Sequence, residues 1–319
     1  LPICSVLPNS NPDKLININI GKKSKKCDVN EWKQLLQEVN MLPELIRMSC
    51  TAYGAWGKSR PASSNGKLLQ LRALDFGGGP FANYTVIQTH RGNPENPNNA
   101  FVSVAFPGFV GSITGVSQSG IGISEKVWMT YNEKSDIQPG NYKGVPDSFM
   151  LRNILEYSKT KEDAVKYMQS IPRTWAMWVG VGDYASQEFN LVGYKEDSAI
   201  AYNDVTMPSM NDQPYIPQVA YVDKHPQPSH DGVNGTLPLA LQYFGNGQID
   251  AFTTKQIIQS HQTGDVHAAS YYFGTSDMYL TIGRTNTNGD YCPEVCPDDT
   301  VFKAYNRPWT HFSLQDFWE

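Results

Sequence analysis

The residue best placed to do chemistry in this chain is Cys50, the one cysteine without an evident partner. The sequence has five cysteines. Cys4 and Cys27 bracket the first loop, and Cys292 and Cys296 stand close together near the end, so two local pairs can close as disulfides and one thiol is left over. A leftover thiol in an oxidised protein is either buried and inert or reactive by design. Cysteine attacks only as its thiolate, with a reference pKa near ~8.5. The six histidines (His90, His225, His230, His261, His267 and His311) form no recognisable pairing with it. A second base exists if the Ser49–Cys50 bond is cut. The freed α-amine, with a reference pKa of about 7.7–8.0, can take the proton of its own residue's thiol.

The residues downstream suit that design. A strand returning beside Cys50 would bring Arg72 and Asp75 with it. A guanidinium at Arg72 favours the thiolate and can grip a carbonyl oxygen, and a carboxylate at Asp75 can hold an α-ammonium. Strict alternation puts Arg72 and Asp75 on opposite faces, so the strand must end or bulge for both to serve. Gly77, Gly78 and Gly79 follow directly.

The elements that must position these residues can be read in outline. The first 49 residues form one unit: a loop closed by Cys4 and Cys27, an acidic capping box at Asp28–Glu31, and Trp32, Leu35, Leu36, Val39, Leu42 and Leu45 at helical spacing. Pro43 kinks or divides that helix. Residues 50–57 and 67–76 read as a hairpin whose tip holds Pro61 and the Asn65-Gly66 turn signal. Further strands are expected at 84–90, 101–106, 121–129, 175–183, 187–193, 198–203 and 278–284. Helices are expected after Pro146-Asp147, after Thr160, and at 237–244 and 253–262. Residues 204–236, rich in proline, form a segment too long for an inert connector. Strands in hairpin order, not βαβ units, indicate antiparallel sheets and an α+β class.

Whole-chain properties narrow the function. The chain has 319 residues, 40% hydrophobic, 12% aromatic and 18% charged, and a formal net charge of −5. No apolar run approaches the roughly 18 residues that span a bilayer. The negative balance argues against a nucleic-acid partner. The one basic run, Lys22, Lys23, Lys25 and Lys26, reads as a solvated loop. A chain opening at Leu1-Pro2, with sequons at Asn83 and Asn234 and paired cysteines, fits a secreted or lysosomal protein. His230-Asp231 lacks a third metal ligand at sensible spacing, Gly180-Val181-Gly182 lacks the setting of a dinucleotide loop, and no Gly-x-Ser-x-Gly elbow occurs. No cofactor is expected.

Cys-Thr-x-x, a hairpin, then Arg-x-x-Asp-Phe resembles the signature of N-terminal-nucleophile cysteine hydrolases. That group includes acid ceramidase, N-acylethanolamine acid amidase, bile-salt hydrolase and isopenicillin acyltransferase. The run Gly66–Phe76 resembles the acid-ceramidase version. The likeness continues through Phe106-Pro107-Gly108, Gly111–Gly115, Gly120–Glu125 and the Phe149–Leu155 helix, so it covers residues 45–205. The resemblance implies a four-layer αββα sandwich of two antiparallel sheets flanked by helices. It implies an N-terminal segment 1–49 and a catalytic chain 50–319, held together without covalent links because neither disulfide crosses the cut. It assigns Cys50 as nucleophile, Arg72 and Asp75 as its orienting partners and Glu125 as the acidic position after the third strand. Asn203, with Asn190 as fallback, matches the asparagine that donates to the oxyanion. A later family arginine finds only Arg284 as a candidate. The implied reaction is hydrolysis of linear amides, with N-acyl lipids such as ceramides or N-acylethanolamines as substrates and transient contact with a membrane surface. Tyr53, Trp56, Trp128, Trp175 and Trp178 are candidates for an acyl pocket or for plain core. The alternatives are a phospholipase-B-like or penicillin-type acyl hydrolase on the same scaffold, or a catalytically silent lipid-binding protein.

Overall fold

The structure is a computed structural model. It describes residues 49–76, 79–92, 95–96, 99–128, 144–174, 176–207, 214–223, 236–285 and 301–318, with parts of the stretch 16–41. In chain order the strands are β1 (Ile16–Ile20), β2 (Lys23–Cys27), β3 (Ser49–Ala55), β4 (Leu69–Asp75), β5 (Val86–His90), β6 (Phe101–Ala105), β7 (Thr114–Ser117), β8 (Ile121–Val127), β9 (Met177–Asp183), β10 (Glu188–Lys195), β11 (Ser198–Tyr202), β12 (Val219–Val222), β13 (His267–Tyr272), β14 (Asp277–Ile282), β15 (Arg284–Thr285), β16 (Val301–Phe302) and β17 (Thr310–Ser313). The helices are α1 (Gly79–Tyr84), α2 (Asp147–Tyr157), α3 (Lys161–Ser170), α4 (Thr236–Phe244) and α5 (Ala251–His261).

Two antiparallel sheets dominate. One has seven strands in the order β11-β10-β9-β8-β7-β6-β5, and the other has six, β12-β3-β4-β13-β14-β17. Their side chains sort into three apolar layers. Ile121, Ile123, Val179 and Val181 of the larger sheet pack on Met150, Leu151, Ile154 and Met168 of α2 and α3. Ala52, Val104, Trp178, Phe189, Leu191, Ala220 and Ala269 fill the space between the sheets. Tyr53, Leu69, Leu71 and Ala268 pack outward on Leu237, Leu241, Ile257 and Ile258 of α4 and α5. Helix, sheet, sheet, helix is the αββα arrangement expected from the sequence, and the parity of each strand decides which layer a residue joins.

Local chemistry explains the joints. Asn65 and Gly66 at the hairpin tip take φ of 52° and 69°, left-handed values that Asn and Gly accept most readily. Thr160 and Asp163 exchange bonds in a capping box at the start of α3, and Asp250 and Thr253 do the same for α5. Gly182 meets the side chain of Gln70 from the facing sheet where a Cβ would overlap it, so this glycine serves close strand packing. Asn40, in the first segment, accepts from Val110 N and Gly111 N and donates to Gly108 O, and its own carbonyl accepts from Ser148 Oγ. Asn40, upstream of Cys50, is thereby tied to the body of the fold by hydrogen bonds.

Several elements depart from expectation. Residues 23–26 of the lysine cluster belong to β2, paired with β1, and are not loop. Within the long segment 204–236 lies β12, which pairs with β3. Strands β7, β13 and β17 and helix α1 were not anticipated. The capping box at Asp28–Glu31, all six apolar residues of the helical repeat that follows and Pro43 lie outside the described residues. No helix among the described residues is long and apolar enough to cross a membrane.

Candidate active site

Strand β3 carries Cys50 and pairs with β4 from Ser49↔Asp75 through Cys50↔Leu74 and Ala52↔Arg72. Cys50 and Arg72 share parity and face the larger sheet. On that sheet β7 starts at Thr114, opposite Ser124, so Glu125 to Val127 of β8 pair only with β9. This overhang leaves room for Arg72 and Glu125 to meet. An Arg72 Nη2 donates to Glu125 Oε2 at 2.9 Å and to Cys50 Sγ at 3.2 Å, and the sulfur lies 3.9 Å from the same carboxylate oxygen. All three residues are fully buried. Burial pushes the Cys50 thiol far above its ordinary value, and Arg72 pulls it back only in part. Burial also raises the Glu125 carboxyl, against the pull of Arg72. Burial thus disfavours the thiolate in the structure as it stands.

Asp75 closes the strand. β4 runs without a bulge to Asp75, so alternation turns this carboxylate to the α5 side, away from the sulfur. It accepts from Thr263 Oγ1 at 2.6 Å, Gly264 N at 2.7 Å and Asp265 N at 3.3 Å, and Thr263 also bonds Thr51 Oγ1 at 2.8 Å. Asp75 thus locks the α5–β13 turn beneath the first residues of β3. Its position opposite Ser49 sets it beside the peptide bond whose scission would free the Cys50 amine.

One participant was missed. His267 opens β13 opposite Leu74, is fully buried, and sits 3.2 Å from Arg72 Nη1 and 3.1 Å from Thr114 Oγ1 through Nε2. Arginine only donates, so Nε2 is the acceptor and the proton rests on Nδ1, which has no partner among the described residues. Burial first and Arg72 second hold the His267 pKa well below its usual value. A depressed histidine contributes stability that is present above ~6.5 and is lost as pH falls toward the folded value. Wild-type Tm is accordingly expected to fall more steeply between pH 7 and pH 5 than that of His267→Gln. Calorimetry at stepped pH checks this, and parallel slopes would count against it.

No family model matches the chain. Two proteins of Dictyostelium discoideum are similar in sequence. Protein dcd1B is 34% identical over 290 residues, 88% of this chain and 54% of its own length, and dcd1A is 31% identical over 303 residues, 90% and 64%. The chain thus spans about half to two thirds of these relatives. Among solved structures, the Caenorhabditis elegans ortholog of N-acylethanolamine-hydrolyzing acid amidase superposes with a TM-score of 0.50 at 15% identity, over 70% of this chain and 93% of that one. This is the N-terminal-nucleophile hydrolase fold.

Within that fold the remaining expected site residues scatter. Asn203 stands just past β11, the edge strand, three strands from β8 or ~14 Å at the usual spacing. It is exposed, and its Oδ1 accepts from Val205 N, Thr206 N and Thr206 Oγ1, a local turn. The structure does not bring it to Cys50. Asn190, on β10, pairs with Val181 and has the opposite parity to Phe189, which fills the inter-sheet space. Arg284 spends its guanidinium on Ala82 O and Gly283 O. Asn203→Ala is expected to change kcat by less than ~3-fold and to cost about 1 kcal/mol or less. A ~100-fold loss in kcat would restore Asn203 to the site.

The aromatics divide likewise. Tyr53 is buried on the α5 side with its hydroxyl on Thr254. Trp128 stacks on Trp178 at 4.2 Å and Tyr202 meets Trp178 edge-on at 5.9 Å, a cluster one residue past the overhang. Trp56 packs against the inter-sheet layer. Trp175, Asn234, Cys4, Cys292, Cys296, His225 and His230 lie outside the described residues, as does the Cys27 side chain. Asn83, in the last turn of α1, has an exposed side chain.

Proposed function

We propose that the chain is a self-processing cysteine amidohydrolase acting on linear amides of N-acyl lipids. The observation that carries this reading is the Arg72 guanidinium shared between Cys50 Sγ and Glu125 at the start of β3. In the intact chain the Cys50 thiol attacks the Ser49 carbonyl, its proton passing to Glu125 Oε2. The C–N bond breaks as the acyl group moves from nitrogen to sulfur, the freed nitrogen taking that proton back from Glu125, and water hydrolyses the thioester. That leaves a Ser49 carboxylate and a free α-amine on Cys50. The amine then serves as base for its own thiol, Arg72 steadies the thiolate, and Asp75 holds the strand end where the ammonium forms. The segment 1–49 stays bound through contacts such as those of Asn40.

A fatty acyl chain suits the stacked Trp128, Trp178 and Tyr202 beside the overhang. Lysosomal or secreted location, glycosylation at Asn83 and Asn234, the two disulfides and passing contact with a membrane surface belong to the same reading. The test is release of free fatty acid from matched amide and ester substrates, such as N-palmitoylethanolamine, a ceramide and a lysophospholipid. Amide turnover supports the proposal. Turnover of esters alone would assign a phospholipase-B-like hydrolase, and no turnover by processed protein would assign a lipid-binding protein.

A further inference from the structure

We propose that Lys126 is a catalytic residue of this site, donating to the oxyanion that forms when Cys50 attacks a carbonyl; this rests on reading Cys50 as the nucleophile. Lysine is rarely buried unless paired. Lys126 is 2% exposed, and its Nζ has a single acceptor among the described residues, Val127 O at 2.9 Å. No carboxylate there forms an ion pair with it. An ammonium carries three donors, so its remaining donors find no acceptor among the described residues although the side chain is buried, an arrangement that costs free energy unless a ligand completes it.

Its direction is set by the strand. Lys126 shares parity with Ser124, which bonds Gln70 Nε2 and Leu71 O of the facing sheet. Its register partner Trp178 packs with Ala52 of the nucleophile strand and with Ala220 and Val222 of β12. Lys126 therefore enters the inter-sheet space beside β3, while Glu125 reaches the sulfur past the missing end of β7. Burial lowers the Lys126 pKa, and of the groups whose negative charge, when present, would raise it, Cys50 comes first, ahead of Asp223, Glu125 and Asp75. Protonated or neutral, an amine keeps N–H donors. The asparagine expected for this task is spent on a surface turn.

The step balances without a co-reactant. Sulfur bonds to the carbonyl carbon, and the π pair moves to oxygen, which accepts an N–H from Lys126. Collapse restores the carbonyl and breaks the C–N bond, and the leaving amine takes the proton held by the Cys50 α-amine. Water then hydrolyses the thioester. Lys126 keeps its own protons throughout.

The test compares Lys126→Met and Lys126→Gln with wild type on N-palmitoylethanolamine, alongside the rate of Cys50 alkylation by iodoacetamide, a reaction without an oxyanion. Lys126→Met is expected to lose ~10²–10³-fold in kcat, the usual worth of one such donor. Its KM and alkylation rate should stay within about threefold. Lys126→Gln, which keeps a neutral donor, should retain a tenth of wild-type kcat or more; it decides the matter if the Met variant does not fold. Wild-type kcat in Lys126→Met, parallel loss of alkylation, or a folded but inactive Lys126→Gln would overturn the assignment. A Cys50→Ala variant with full activity would instead overturn the reading beneath it.

Discussion

Cys50→Ala is expected to abolish both self-cleavage and amide hydrolysis, lowering kcat by ~10⁴-fold or more, as removal of a nucleophile does. Alanine is smaller than cysteine and leaves the Arg72–Glu125 pair at 2.9 Å in place, so the fold should survive with a modest loss of stability. The chain should run as one piece on a denaturing gel where the wild type gives two. Fatty acid release and the gel are read on the same preparation. A variant that is cleaved but inactive would assign the cut to another protease and leave Cys50 as nucleophile of the mature enzyme. A variant that is fully active would remove Cys50 from the chemistry.

Arg72→Met is expected to have the next largest effect, and for two separable reasons. Arg72 is the partner of a fully buried carboxylate, and deleting one member of a buried pair typically costs ~3–5 kcal/mol because the other charge is stranded. Arg72 also donates to the sulfur and to His267. The double change Arg72→Met with Glu125→Leu removes the stranded charge and should recover most of the lost stability, since apolar replacement of a buried pair is often neutral. Activity should not return, because the thiolate still lacks its cation and self-cleavage now lacks its proton acceptor at Glu125. Chemical denaturation and kcat measured on both variants separate the two roles. A double variant that regains activity would show that Arg72 serves the fold alone.

The sequence exposed the site wherever local pattern and chemistry coincide. The Cys50–Asp75 hairpin was legible because its turn is signalled by Asn65-Gly66 and its strands are short and apolar. Glu125 was legible only through resemblance; its approach to Arg72 depends on where β7 begins, and strand offsets leave no mark in a linear pattern. The Arg72–Asp75 alternation gave the right alarm. The strand ends at Asp75 without a bulge, and the carboxylate anchors a turn on the far face. His267 escaped notice because β13, His-Ala-Ala-Ser-Tyr-Tyr, is buried on both faces and so shows no alternation. Strand β12 is four residues inside a proline-rich stretch, too short to assert itself. Asn203 misled because an asparagine after a strand serves a turn as readily as an oxyanion. Lys126 next to Glu125 reads as an ordinary charged strand end, and only its burial marks it out.

The central claim is that Cys50 acts through an α-amine released by cleavage of its own peptide bond. N-terminal sequencing of the active protein, purified and held at acidic pH, tests it most directly. The account predicts two sequences, one from the upstream segment and one whose first residue is Cys50, with hydrolase activity rising as the second accumulates. A fully active protein in which the Ser49–Cys50 bond remains intact would contradict it.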